Sequence, residues 1–171
     1  MQRRGMVAVL VGAAVLASAG CSSSPHVYEG LIDPCQLFVT SSAADTAPYM
    51  AQGPVRPIDG KLSGASQVAG CGDSFDNEHR GRRTIRLTVG PYKGDEAVSR
   101  AAGSFKEKGP DGPWDHASIG DGYASGQVDN AVLDVAIEDT GIGPFPPQPN
   151  FGVMSAVLAD SVRRLKTRYG G

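Results

Sequence analysis

Three cysteines, three histidines and one aspartate-rich loop are where this sequence could carry chemistry beyond packing and solvation. The histidines stand apart: His26 near the start, His79 in a polar stretch and His116 after Trp114-Asp115. No His-x-x-x-His, His-Glu-x-x-His, Gly-x-Ser-x-Gly or Ser-x-x-Lys spacing occurs, which removes the common motifs of zinc hydrolases and serine nucleophiles. A triad is recognised by geometry and not by sequence order. A hydrolase using His116 with Asp115 or Asp121 therefore stays open beside the favoured reading, solvated loop histidines.

Pro110 to Gly122 holds the only tryptophan, three aspartates and His116. The spacing is not that of an EF-hand loop, and no catalytic residue, metal ligand or cofactor is assigned. The favoured reading is a run of turns with Trp114 folded onto the core. The functional one is a recognition loop of Trp114, Asp115 and His116, with the indole as aromatic anchor. Arg80, Arg82, Arg83 and Arg86 form a basic cluster with Arg82 and Arg86 on the solvent face of a strand. A charged solvent face is favoured there over contact with phosphate headgroups or an anionic wall polymer.

The cysteines divide by context. Arg3 and Arg4, an apolar run from Met6 to Ala17 and the small residues Ser18, Ala19 and Gly20 lead directly to Cys21. About a dozen apolar residues cannot cross roughly 30 Å of hydrocarbon as a helix, and they fit a signal-peptide core over residues 1–20. A cysteine after small residues resembles the bacterial lipobox, whose thiol is diacylglycerated before cleavage leaves it as the N-terminus. Ser18 stands where that pattern prefers Leu. The competing reading is a secretory signal cut near Ala19 with Cys21 a free thiol, a liability outside the cell, so lipidation of Cys21 is expected. Two acyl chains on one residue meet the two-signal requirement for stable attachment. Residues 21–30 then read as the lipidated N-terminus and a short tether. Cys35 and Cys71 remain, in a compartment that permits disulfides and without the clustered ligands of a metal site, so they are expected to pair.

The elements that must position these residues follow from length and pattern. The chain has 171 residues, 40% hydrophobic, which suits one core and one domain over 31–171. The formal charge of −2 gives no footprint for nucleic acid, and a single continuous apolar stretch excludes a polytopic membrane protein. Asp33-Pro34-Cys35-Gln36 predicts a capped helix from Pro34 to about Ala44, with Ile32 and Leu37 as a staple. Residues 46–65, with Pro48, Pro54 and Pro57, read as loop. Gln67 to Phe75 predicts a strand carrying Cys71, Asp73 to Gly81 a hairpin loop, and Thr84 to Val89 an alternating strand with Ile85, Leu87 and Val89 inward. Asp95 to Lys108 predicts a second helix. Gly122 to Val128 and Ala131 to Glu138 predict a hairpin turning at Asp129-Asn130. After a stiff proline connector at 144–149, a last helix runs from Asn150 to about Arg168, striped by Phe151, Met154, Leu158 and Leu165. The order is α-β-β-α-β-β-α, an α+β two-layer sandwich with an antiparallel sheet and helices on one face. The two αββ units suggest a faint internal repeat.

Cys21 after small residues, a Ser-rich stretch, Asp-Pro-Cys opening a helix, and a second cysteine about thirty-five residues on occur together here. So do Gly120-Asp121-Gly122 before a strand pair and a final amphipathic helix. The chain resembles the actinobacterial lipoproteins catalogued as domain of unknown function 3558, although Asp73 stands where that family places an aromatic residue. The resemblance covers most of residues 21–171. It implies a lipoprotein of a Gram-positive cell envelope, lipid-anchored on the extracytoplasmic face of the cell membrane, and brings no catalytic residues. The expected role is non-enzymatic: binding a ligand, an envelope polymer or another protein. The alternatives are the lipid-anchored hydrolase above and a sensory or regulatory partner of a membrane protein.

Overall fold

The structure, a computed structural model, describes residues 25–38, 56–58, 68–76, 80–94, 96–145 and 147–170. Cys21 and His79 lie outside them. Asp33 opens helix α1 (Pro34–Leu37), its carboxylate accepting the Cys35 N–H at 2.9 Å while Pro34 occupies the first turn. Gln36 bonds back to the same carboxylate, 3.1 Å away. Phe38 is extended, so the helix closes after four residues instead of reaching Ala44. Ile32 and Leu37 are both buried, as the staple requires.

Six strands follow among the described residues: β1 (Arg56–Ile58), β2 (Ala69–Asp76), β3 (Arg82–Pro91), β4 (His116–Gly120), β5 (Tyr123–Val128) and β6 (Ala131–Thr140). They make one wholly antiparallel sheet in the order β1-β2-β3-β6-β5-β4, two three-strand meanders meeting at β3 and β6. The class is the expected α+β. Two strands depart from the sequence reading. β1 forms within the expected loop because Pro57 sits on the sheet edge, where its missing N–H removes no ladder bond. β4 forms within the expected turn-rich loop: Ala117 and Ile119 pack on the core, while His116 and Ser118 face the other way. The element order among the described residues is thus αβββ twice, with a closing helix.

Helix α3 (Phe151–Tyr169) is capped by Asn150, which accepts the Val153 N–H at 3.2 Å. Met154, Val157, Leu158, Val162 and Leu165 bury on Ile85, Leu87, Val89, Leu133 and Val135. Phe151, expected on that stripe, is left 47% exposed in the first turn. Leu158 comes so close to β5 that a Cβ at Gly126 would stand 3.0 Å from its methyl.

Helix α2 (Ala97–Ala102) corrects the expectation of helices on one face. It ends at Gly103 and packs with Tyr92 and Phe105 on Val132, whose side chain points away from the main core. Its buried contacts are two alanines, Ala97 and Ala101, against a separate small cluster, while the opposite face is filled by α3 and α1.

The Cys35–Cys71 disulfide is closed, with Cα atoms 5.0 Å apart, and staples α1 to β2 as expected. The tether expectation is corrected from His26 onward. The His26 N–H donates to Asp129, its ring nitrogen Nε2 lies 3.0 Å from the Tyr169 carbonyl, and Tyr28 is buried. Asn130 holds the strap by accepting the Tyr28 N–H at 2.8 Å and donating to the Tyr28 and Tyr92 carbonyls. A buried aromatic whose backbone bonds are met by a buried amide docks instead of standing off.

Candidate functional site: the exposed sheet face

Antiparallel pairing sends alternate residues to opposite faces. The face away from α3 therefore receives the cross-strand row Thr88, Asp134, Ser125 and Ser118, and beside it the row Arg86, Ala136, Tyr123 and Gly120. The segment after α2 rises along this face. Between them lies an open concavity of about 520 Å³, floored by Ser118 and Ser125, edged by Tyr123 and walled by Ser104, Phe105 and Glu107. The Tyr123 ring lies against Gly120, where a Cβ would stand 2.3 Å from a ring carbon. Hydroxyls on the floor and an aromatic platform at the rim can hydrogen-bond and stack against a polar ligand; this is recognition chemistry.

Asp134 sits half-buried in the centre of that face. Burial pushes its carboxyl above the ordinary range, against a hydrogen bond from Ser125 and the nearby Arg86 charge, which pull it down. A raised folded-state value means stability that is present below the unfolded value near 3.9 and is lost as pH rises through the folded one. Asp134→Asn keeps a Ser125 partner and removes the charge. Its melting temperature is expected to match wild type at about pH 3 and to exceed it at about pH 7. An equal gap at both would refute the desolvated carboxylate.

The loop residues singled out in the sequence go to different places. Trp114 is buried in the main core, with Nε1 donating to the Pro110 carbonyl at 2.7 Å and its ring stacked on Gly112. Asp115 is exposed and accepts the Asp129 N–H at 2.7 Å. His116 is half-buried, its ring stacked on Phe105 at 6.2 Å. Its Nδ1, like Oε1 of its cross-strand neighbour Gln127, is a buried polar atom without a hydrogen-bond partner among the described residues. Asp115 lies in the bend just before β4, and its carboxylate is taken up by the Asp129 N–H. Asp121 follows the far end of β4, about 17 Å along the strand from His116. Neither acid hydrogen-bonds the imidazole.

Of the arginine cluster, Arg80 and Arg82 stay together beside Asp76 and Thr140, and Arg83 leaves it. Arg82 pairs with Asp76 on the surface at 2.7 Å, and Arg86 pairs with Glu138. Arg83 points inward, 1% exposed, with a bidentate bond to Asp139. No group of three His, Cys, Asp or Glu side chains among the described residues could hold a metal ion. Sequence reasoning missed Asp134, Ser118, Ser125 and Tyr123. The available signal was the alternation of 131–138, which puts Asp134 opposite the Leu133 and Val135 face.

Compared with protein-family models, curated proteins and solved structures, the chain matches none.

Proposed function

We propose that this chain is an exported lipoprotein of the cell envelope, related to the family it resembles. A diacylglyceryl group on Cys21 holds it to the extracytoplasmic face of the membrane, and its role is binding, not catalysis. The closed Cys35–Cys71 disulfide carries the reading: such bonds persist in oxidising compartments, and pairing these two leaves Cys21 as the one remaining thiol. The apolar run and small residues before Cys21 supply the rest. The binding part is supported by the hydroxyl-floored concavity over β4 and β5, which suits a segment of envelope polymer or protein.

Intact mass of protein purified from its own membranes, before and after reduction, tests this. The expected mass is that of residues 21–171 plus the acyl groups, rising by two hydrogens on reduction. A mass without lipid would make it a secreted protein and refute the anchor.

A further inference from the structure

The strap that docks at His26 limits how far the folded body can stand from an acylated Cys21. We infer that the end of the sheet carrying the Asp129-Asn130 turn, with Val27 and Leu31 beside it, rests on the lipid surface of the protein's own membrane. This rests on the lipid-anchor reading of Cys21.

Five peptide steps separate Cys21 from His26, so their Cα atoms are at most about 18 Å apart however the chain runs. His26 is pinned to Asp129 and to the Tyr169 carbonyl, and Tyr28 to Asn130 on both its backbone groups. The attachment point is therefore fixed at one end of the molecule. The opposite end, where β6 finishes at Thr140, lies about 30 Å away along the strand. The linker cannot bring both ends to the bilayer with equal ease.

The exposed apolar residues agree with this polarity. Val27, within the docked strap between His26 and Tyr28, is 48% exposed, and Leu31, just after it, is 69% exposed. Tyr123 and Phe151 belong to the other end, where Gly122 donates to the Pro149 carbonyl just before α3 begins, and Ile142 follows the far end of β6. Lys93, Lys166 and Arg168 stand at the anchored end together with Glu29, Asp115 and Asp129, so charge does not select the membrane face. The short chain and the apolar pair do. The Tyr123 rim of the concavity then points away from the bilayer, into the space where an envelope ligand would be met.

The test uses the acylated full chain in phosphatidylglycerol vesicles containing lipids brominated near the top of the acyl chain. Leu31→Trp and Ile142→Trp each add one indole at an exposed position, above the constant background of buried Trp114. The Trp114 emission of wild type and circular dichroism of all three proteins establish that the fold is kept. The added emission of Leu31→Trp is expected to fall by at least about a third relative to unbrominated vesicles, with that of Ile142→Trp unchanged. Quenching at neither site, at both equally, or at Ile142→Trp alone overturns the orientation while a diacylated intact mass leaves the anchor standing. A mass without lipid removes the anchor and the orientation together.

Discussion

Replacing Cys35 and Cys71 together by alanine is expected to lower the unfolding free energy by roughly 3.8 kcal/mol, the largest single effect foreseen for this chain. The bond closes a sequence separation of 36, and the loss is the closure entropy of a loop of that length in the unfolded chain. The folded side explains why nothing compensates. α1 has four residues, far too few to be stable by itself, and its packing on β2 and α3 is what the bond secures. Trp114 is the only tryptophan and is buried, so its emission reports the urea transition directly. The slope of that transition should also rise, because an uncrosslinked chain exposes more surface on unfolding. A loss under about 1 kcal/mol with an unchanged slope would mean that the reduced unfolded chain is already compact across this loop.

The second large effect is asymmetric. Asp139→Ala is expected to cost about 3 kcal/mol, whereas Arg83→Met should cost clearly less. Arg83 is 1% exposed and bonds Asp139 through Nε and Nη2 at 2.7 and 2.8 Å, with Nη1 on the Pro147 carbonyl and the guanidinium 5.9 Å over the Phe145 ring. Removing the carboxylate leaves a guanidinium in the interior without its counter-charge. Removing the arginine leaves a carboxylate that is 21% exposed, receives a hydrogen bond from Gln148 at 3.0 Å and can take up water. Methionine fills most of the vacated volume without a charge. Urea unfolding of the two variants decides the matter, and equal losses would show that the pair acts only through packing.

Much of the local structure was legible along the chain. Asp33-Pro34 marked the start of α1, and Asn150 opened the long closing helix where expected. Ile85, Leu87 and Val89 identified the inward side of β3, and the same parity places Arg83 inward, two residues before Ile85. Arg82 and Arg86 share one face of β3 as the alternation implies, and the same alternation sends their neighbour Arg83 to the opposite face. β1 and β4 escaped notice because three to five residues rich in proline, glycine or polar neighbours carry too little period to outweigh turn signals. They are strands because β2 and β5 offer them free edges. The concavity was not legible, since its floor comes from β4 and β5 and its wall from the segment after α2.

By itself the sequence determined the class of the fold, the capped helix starts, the inward faces of the central strands and the expectation that Cys35 and Cys71 would pair. Each of these depends on residues within one element, or on cysteine count and compartment. Only the tertiary structure decided that α2 takes the opposite face from α3, that Arg83 is an interior charge, and that the chain from His26 is a docked strap. Those outcomes depend on which distant groups can satisfy a buried polar atom or cover an apolar one. Asn130 is more than a hundred positions from Tyr28, and no local pattern around Tyr28 encodes that its backbone will find its hydrogen bonds there.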